Sequence, residues 1–312
     1  MAAGAIDGGS LTAALIAARP RMRSRLSFVI LVVAMISMPF VIGLRVATTV
    51  STSIVDLRQA GVYCLTAGVA GSLITLTGCL RRGIPVSSSV ALVASLVGAA
   101  FGTSSAQYVV WRGVALVLGG IVLATVLGTL GGYLVYGLLR AALGRLTLAQ
   151  GERFMRLLYL TSGSMGSAYG ANDAQKFIGL FSSAFWAAAY VPRGQVPWWV
   201  VVLAETAFMA GMLLGARKTL LTVGKGIFRM RSVHGLAVQL VTVCIMLGGA
   251  GLGAPLSTTQ TSIAATFGVG LSHRRGAVRF NTVYRLLISW TVSVPAGFVA
   301  GLGFGFIFRF FA

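Results

Sequence analysis

Long apolar stretches recur along the whole 312-residue chain. A helix of about 20 such residues crosses the hydrocarbon core of a bilayer. Only 10% of the residues are charged, whereas ordinary soluble domains carry about 25%, so a soluble globular protein is excluded. We expect an all-α polytopic membrane protein with about 8–11 membrane segments. The six longest stretches cover residues 26–44, 60–80, 113–139, 196–214, 236–251 and 286–308.

Three further apolar segments are interrupted by small and polar residues. Segments 84–101 and 255–271 contain hydroxyl residues, and segment 157–190 is broken near its centre by Gly170-Ala171-Asn172-Asp173. Such breaks are tolerated at membrane depth only where protein or water satisfies the freed backbone groups. We therefore expect discontinuous helices at these places.

Two motifs occur twice, once in each half of the chain. Gly4-Ala5-Ile6-Asp7 matches Gly170-Ala171-Asn172-Asp173, and residues 83–89 (GIPVSSS) match residues 253–259 (GAPLSTT). The motif starts are separated by 79 residues in the first half and by 83 in the second. This near-equal spacing indicates an internal duplication.

The basic residues indicate how the two copies are oriented. If the copies are inverted, one side of the membrane collects 19 of the 25 basic residues and the other collects 5. A parallel duplication would divide them almost evenly and violate the positive-inside rule. We expect two inverted-topology repeats, 1–139 and 157–312, joined by a cytoplasmic connector at 140–156. The net charge of +20 then reports topology and contact with membrane lipid, not nucleic-acid binding.

Two of the five acidic residues, Asp7 and Asp173, occupy equivalent positions in the copies. An acid at membrane depth is costly and tends to mark an ion or substrate path. Inverted repeats with discontinuous helices are typical of secondary transporters, which bind substrate and coupling ion at the repeat interface. Lys176, three residues beyond Asp173, would either add positive charge toward an anion or pair with an acid.

The hydroxyl clusters supply the other half of a candidate site. A helix that begins after Pro85 or Pro255 would present unpaired N–H groups beside its hydroxyls, which suits an oxyanion. An anionic substrate with a cation partner is compatible with these residues alone. The clusters are Ser87, Ser88 and Ser89 in the first half and Ser257, Thr258 and Thr259 in the second.

Residues 167–176 (SAYGANDAQK) resemble the GANDAQK-type signature of the inorganic phosphate transporter (Pit) family, and residues 253–261 resemble its G-x-P-x-S-T-T-H signature. The resemblance covers essentially the whole chain and is strongest in the second half. It implies cation-coupled phosphate uptake by sodium or proton symport, with some members carrying sulfate. On matching positions, it implies a cation site at Asp7, Asp173 and Asn172, and substrate ligands at Asn172, Gln175, Lys176, Ser87, Ser88, Ser89, Ser257, Thr258 and Thr259.

The first copy departs from the family pattern. Ile6 stands where the family has Asn, which removes an oxygen ligand for a hard cation. Val90 and Gln260 stand where the hydroxyl signatures have His. Because only three residues precede Gly4, we expect the first repeat to lack the half-helix that precedes the motif in the second.

These features predict a non-enzymatic bacterial plasma-membrane transporter that imports phosphate with a proton or sodium ion and needs no cofactor beyond that ion. A sulfate permease of the same family is the nearest alternative. A non-coupled channel and a non-transporting membrane sensor are alternatives of another class. Homo-oligomerisation stays open.

Three features outside the motifs also carry expectations. Glu205, midway along 196–214, would either pair with a buried partner or relay protons. His234 and His273 lie near Arg-rich loops and are expected to be solvated. Glycines spaced by four, at 128 and 132 and at 301 and 305, predict close helix packing within the chain or between protomers.

Overall fold

The computed structural model of the protein describes most of the chain. Residues 8–23 fall outside the described part, and so do residues 145–156 of the connector predicted at 140–156. The described residues are 3–5, 7, 24–82, 86–144, 157–187, 190–192, 195–224, 227–228 and 230–311.

Helices account for nearly all of the described residues in both halves. The first half contains α1 (Ser24–Ile42), α2 (Arg45–Thr52), α3 (Leu57–Arg81), α4 (Ser88–Gly102) and α5 (Trp111–Leu143). The second half contains α6 (Leu157–Ala168), α7 (Gln175–Ala187), α8 (Trp198–Gly224), α9 (Ser232–Gly251), α10 (Thr258–His273) and α11 (Phe280–Arg309). A π-helical segment, Tyr169–Ala174, joins α6 to α7.

Within the described residues, four helices are long and apolar enough to cross a membrane, namely α3, α5, α9 and α11. A fifth span results if α1 and α2, which are bent by 73° relative to each other, count as one. The helices α4 and α10 have 15 and 16 residues, so each rises only about 22–24 Å. Neither covers the roughly 30 Å hydrocarbon core alone. The predicted all-α, membrane-spanning fold is confirmed.

The two short helices lie in the interior of the protein. Every residue of α4 except Phe101 is buried, and so is the first half of α10. The long helices α5 and α11 instead expose large apolar side chains such as Leu138 and Val299, as lipid-facing helices do. The short helices therefore form a protein-lined centre, surrounded by spans that face lipid.

Each short helix packs against the last helix of the other half: α4 against α11, and α10 against α5. Glycines make this close approach feasible, because a Cβ atom built on Gly301 would lie 2.1 Å from the Ser95 carbonyl oxygen, and one on Gly132 would lie 2.3 Å from the Ala265 carbonyl oxygen. The glycine pairs predicted from the sequence thus pack within the chain.

The bend between α1 and α2 occurs at Gly43, whose φ of +84° favours glycine because it has no Cβ. The matching Gly215 of the second half lies inside the uninterrupted helix α8. The two halves therefore differ here, although Gly43-Leu44-Arg45 and Gly215-Ala216-Arg217 align.

The expectation of two solvated histidines is wrong for His234, which is only 2% exposed. Its Nε2 lies 3.2 Å from the Tyr136 hydroxyl oxygen, which lies 2.8 Å from Nδ1 of the exposed His273. Phe228 packs against the His234 ring. The ends of α5, α9 and α10 meet at this point, and this packing removes His234 from water.

Candidate anion and cation site

The starts of α4 and α10 meet in the centre of the protein. Ser87 is the N-cap of α4, where its Oγ accepts a hydrogen bond from the Val90 N–H at 3.3 Å. Ser257 caps α10 in the same way through the Gln260 N–H, also at 3.3 Å. The Ser87 hydroxyl donates to the Ser257 Oγ at 3.0 Å. Both hydroxyl motifs therefore begin helices, as predicted, and these beginnings touch.

Asp7 is held by hydroxyls from both motifs. Its carboxylate accepts hydrogen bonds from Ser88 Oγ at 2.8 Å and from Thr259 Oγ1 at 2.6 Å. The Tyr169 hydroxyl donates to the Asp7 main-chain carbonyl at 3.1 Å. The acid of the first copy is thus joined to the second half by two contacts that are distant in sequence.

Asp173 is held in a matching way, with one addition. Its carboxylate accepts hydrogen bonds from Thr258 Oγ1 and, at 2.7 Å, from the Lys176 ammonium. The ammonium also donates to Ser89 Oγ at 2.5 Å and to the Leu256 carbonyl. Of the two roles open to Lys176, the structure shows pairing with an acid. Both charged groups are buried.

Asn172 and Asp173 lie on the π-helical segment, where the sequence predicted an interrupted helix. The helix does not unwind there. Its hydrogen bonds instead join residues i and i+5, as in the π-bulges that often occur at functional sites. The Asn172 side chain donates to the Ala254 carbonyl at 2.9 Å. Its Oδ1 is buried without a hydrogen-bond partner among the described residues, and it is therefore an available oxygen ligand.

The assembled cluster contains the ligands for both a cation and an oxyanion. Carboxylate, amide and hydroxyl oxygens suit hard cations. The first N–H groups of α4 and α10 have no partner within their own helices, and such helix starts bind oxyanions. We call this the central cluster: Asp7, Ser87, Ser88, Ser89, Asn172, Asp173, Lys176, Ser257, Thr258 and Thr259. All ten residues are buried, so they are shielded from solvent in this conformation.

Gln175, for which the family resemblance implied a role in substrate binding, makes its hydrogen bonds elsewhere. Its Oε1 accepts from the Val46 and Ala47 N–H groups at 3.1 and 3.3 Å, and its Nε2 donates to the Gly43 carbonyl at 2.7 Å. The side chain thus caps the start of α2 and fixes the bend at Gly43. We place Gln175 outside the central cluster.

Replacing Gln175 by alanine is expected to lower thermal stability while leaving the affinity of the central cluster for an oxyanion unchanged. The variant loses three hydrogen bonds, each worth about 1 kcal/mol. Melting in detergent and equilibrium binding of a labelled oxyanion to the same preparation check this. Weaker binding with an unchanged melting temperature would instead return Gln175 to the substrate site.

Sequence reasoning missed three contributors to the central cluster. The Tyr169 hydroxyl supports Asp7, and the carbonyls of Ala254 and Leu256 accept from Asn172 and Lys176. A main-chain carbonyl carries no signal in the side-chain sequence. Only the position of Tyr169 within its motif could have drawn attention to it.

Glu205 lies buried in α8, and neither of its carboxyl oxygens has a hydrogen-bond partner among the described residues. The described part of the protein therefore supplies no partner for the pairing role.

The sequence matches a model of the phosphate transporter family over residues 3–156 and 145–301. A curated protein of Mycobacterium tuberculosis, named a probable low-affinity inorganic phosphate transporter, is 31% identical over 271 residues. That alignment covers 84% of this chain and 64% of the relative. A protein of the same name from Bacillus subtilis is 30% identical over 264 residues, covering 82% of this chain and 78% of the relative.

Among solved structures, one described as the sodium-dependent phosphate transporter superposes with a TM-score of 0.79 at 17% sequence identity. The superposition covers 100% of this chain and 97% of that one, so the two share a fold. With the central cluster, the family model and the curated relatives in agreement, the chain belongs to the phosphate transporter family.

Proposed function

We propose that the protein imports inorganic phosphate across the plasma membrane by symport with a cation, either a proton or sodium. The observation that carries this proposal is the central cluster, in which carboxylates and hydroxyls from both halves meet in one buried site. The curated relatives are named inorganic phosphate transporters, and the structural neighbour is named sodium-dependent. These names support the substrate and the coupling.

In this proposal, the coupling arises from charge within the central cluster. An anion placed beside Asp7 and Asp173 meets like charges at low dielectric, where repulsion is strong. A cation bound to a carboxylate removes that repulsion. Phosphate and cation therefore raise each other's affinity, and this reciprocal effect links their movement. The oxyanion would be held by Asn172, by the hydroxyls of both motifs and by the starts of α4 and α10.

We also propose that the halves 1–139 and 157–312 are inverted repeats and that alternating access occurs by movement of one set of helices against the rest. The matching hydrogen bonds Ser88 to Asp7 and Thr258 to Asp173 support a two-fold relation between the halves. So does the reciprocal packing of α4 on α11 and α10 on α5.

The experiment that tests the function is uptake of labelled phosphate and labelled sulfate into proteoliposomes, with sodium and proton gradients imposed separately. Phosphate uptake that increases with one of the two gradients is the expected result. Sulfate uptake alone would indicate the sulfate permease, and phosphate flux insensitive to both gradients would indicate a channel. If neither anion enters above the level of protein-free liposomes, the transporter function is wrong.

A further inference from the structure

The two acids of the central cluster have different surroundings. Asp7 accepts hydrogen bonds from Ser88 of its own half and from Thr259 of the other half. Asp173 likewise accepts one from Thr258 of its own half. The residue of the other half that matches Thr259 is Ser89, and between Ser89 and Asp173 lies the Lys176 ammonium. The amine thus takes the place of a direct hydroxyl contact.

The ammonium has no donor left for another ligand. A lysine has three N–H donors, and those of Lys176 point to Asp173 Oδ1 at 2.7 Å, to Ser89 Oγ at 2.5 Å and to the Leu256 carbonyl. Carboxylate, hydroxyl and carbonyl oxygens are also the groups that bind a hard cation. Lys176 therefore sits in an oxygen cage of the kind that a small inorganic cation requires.

The first copy has no amine at the position that matches Lys176 in the sequence. Three residues beyond Asp7 the sequence has Ser10, where the second copy has Lys176. The buried Asn172 Oδ1 beside Asp173 has no hydrogen-bond partner among the described residues, so the second half retains one oxygen ligand that the amine does not use.

We infer that the Lys176 ammonium is a tethered cation that fills the cation position at Asp173, so that each transport cycle carries one mobile cation, bound at Asp7. This rests on the proposed function, because it specifies how many cations that symport moves. A second mobile cation would have to displace Lys176 and leave two positive charges beside one buried carboxylate, which is costly. Lys176 thereby sets the coupling stoichiometry.

The test is the phosphate accumulation supported by a known gradient of the driving cation, with the membrane potential clamped at zero. A tenfold cation gradient supports about tenfold accumulation when one cation is carried and about a hundredfold when two are. We expect about tenfold for the wild type and a rise toward a hundredfold for Lys176→Met, which opens Asp173 to a second cation.

Two results would overturn the inference. The first is hundredfold phosphate accumulation by the wild type, which contradicts the inference without any variant. The second is a Lys176→Met variant that transports with the wild-type stoichiometry and differs only in a lower melting temperature. The second result would make Lys176 a purely structural partner of Asp173. Absence of phosphate uptake by the wild type would instead refute the proposed function itself.

Discussion

Replacing Asp7 by asparagine is expected to reduce the proposed cation-driven phosphate uptake by about 100-fold, because the lost interaction joins a charged group to its ligands and is worth up to about 3 kcal/mol. Asparagine keeps the shape of the side chain but removes the negative charge that attracts a cation. It also turns an N–H₂ group toward one of the two hydroxyls that now donate to Asp7, Ser88 and Thr259. Initial uptake rates in proteoliposomes measure the effect.

Asp56→Asn is the matched control for this variant. Asp56 lies just before α3, where its main-chain carbonyl accepts from the Gln59 and Ala60 N–H groups, and asparagine is as good a residue as aspartate at a helix start. We expect this control to transport like the wild type. If Asp7→Asn elutes as a folded protein and also transports at the wild-type rate, then Asp7 is not a coupling residue.

Replacing Gly301 by leucine is expected to destabilise the fold by about 3 kcal/mol or more, because overpacking at a fixed backbone contact forces helices apart. Gly301 touches α4, where even a Cβ atom would lie 2.1 Å from the Ser95 carbonyl oxygen. The displaced α4 also carries Ser88 and Ser89 out of the central cluster. We therefore expect a large fall in the yield of folded protein, measured by size-exclusion chromatography, and in melting temperature.

Gly303→Leu, two residues further along α11, separates packing from helix propensity. A Cβ at Gly303 meets no other atom within 4 Å, so this variant should fold as well as the wild type or better. Equal stability of the two leucine variants would contradict the packing of α11 on α4.

The main features of the fold and the central cluster were predictable because they rest on local rules. Apolar length predicts membrane helices, and the two motifs predict helices that begin after Pro85 and Pro255, where the structure has N-caps at Ser87 and Ser257. The equivalence of Asp7 and Asp173 predicted that both acids lie in one site, because a duplicated motif tends to be used at the interface between the copies.

The unpredicted contacts depend on how distant segments pack. Lys176 lies one helical turn beyond Asp173, and from the sequence alone its long side chain could reach either an acid or a bound anion. The positions of Ser89 and Leu256, which decide between the two, depend on how distant segments pack. Gln175 was assigned to substrate by its neighbours in the motif, yet α2 lies within its reach only because the chain bends at Gly43. His234 was expected to be solvated because it lies near an Arg-rich loop in the sequence. The residues that bury it, Tyr136 and Phe228, lie on other segments.

Uphill accumulation of labelled phosphate tests cation coupling most directly. Proteoliposomes start with equal phosphate inside and outside, and an inward gradient of sodium or of protons is then imposed. We predict that internal phosphate rises above the external concentration under one of the two gradients and falls back as that gradient dissipates. Phosphate that never exceeds its external concentration under either gradient would contradict cation-coupled phosphate transport by this protein.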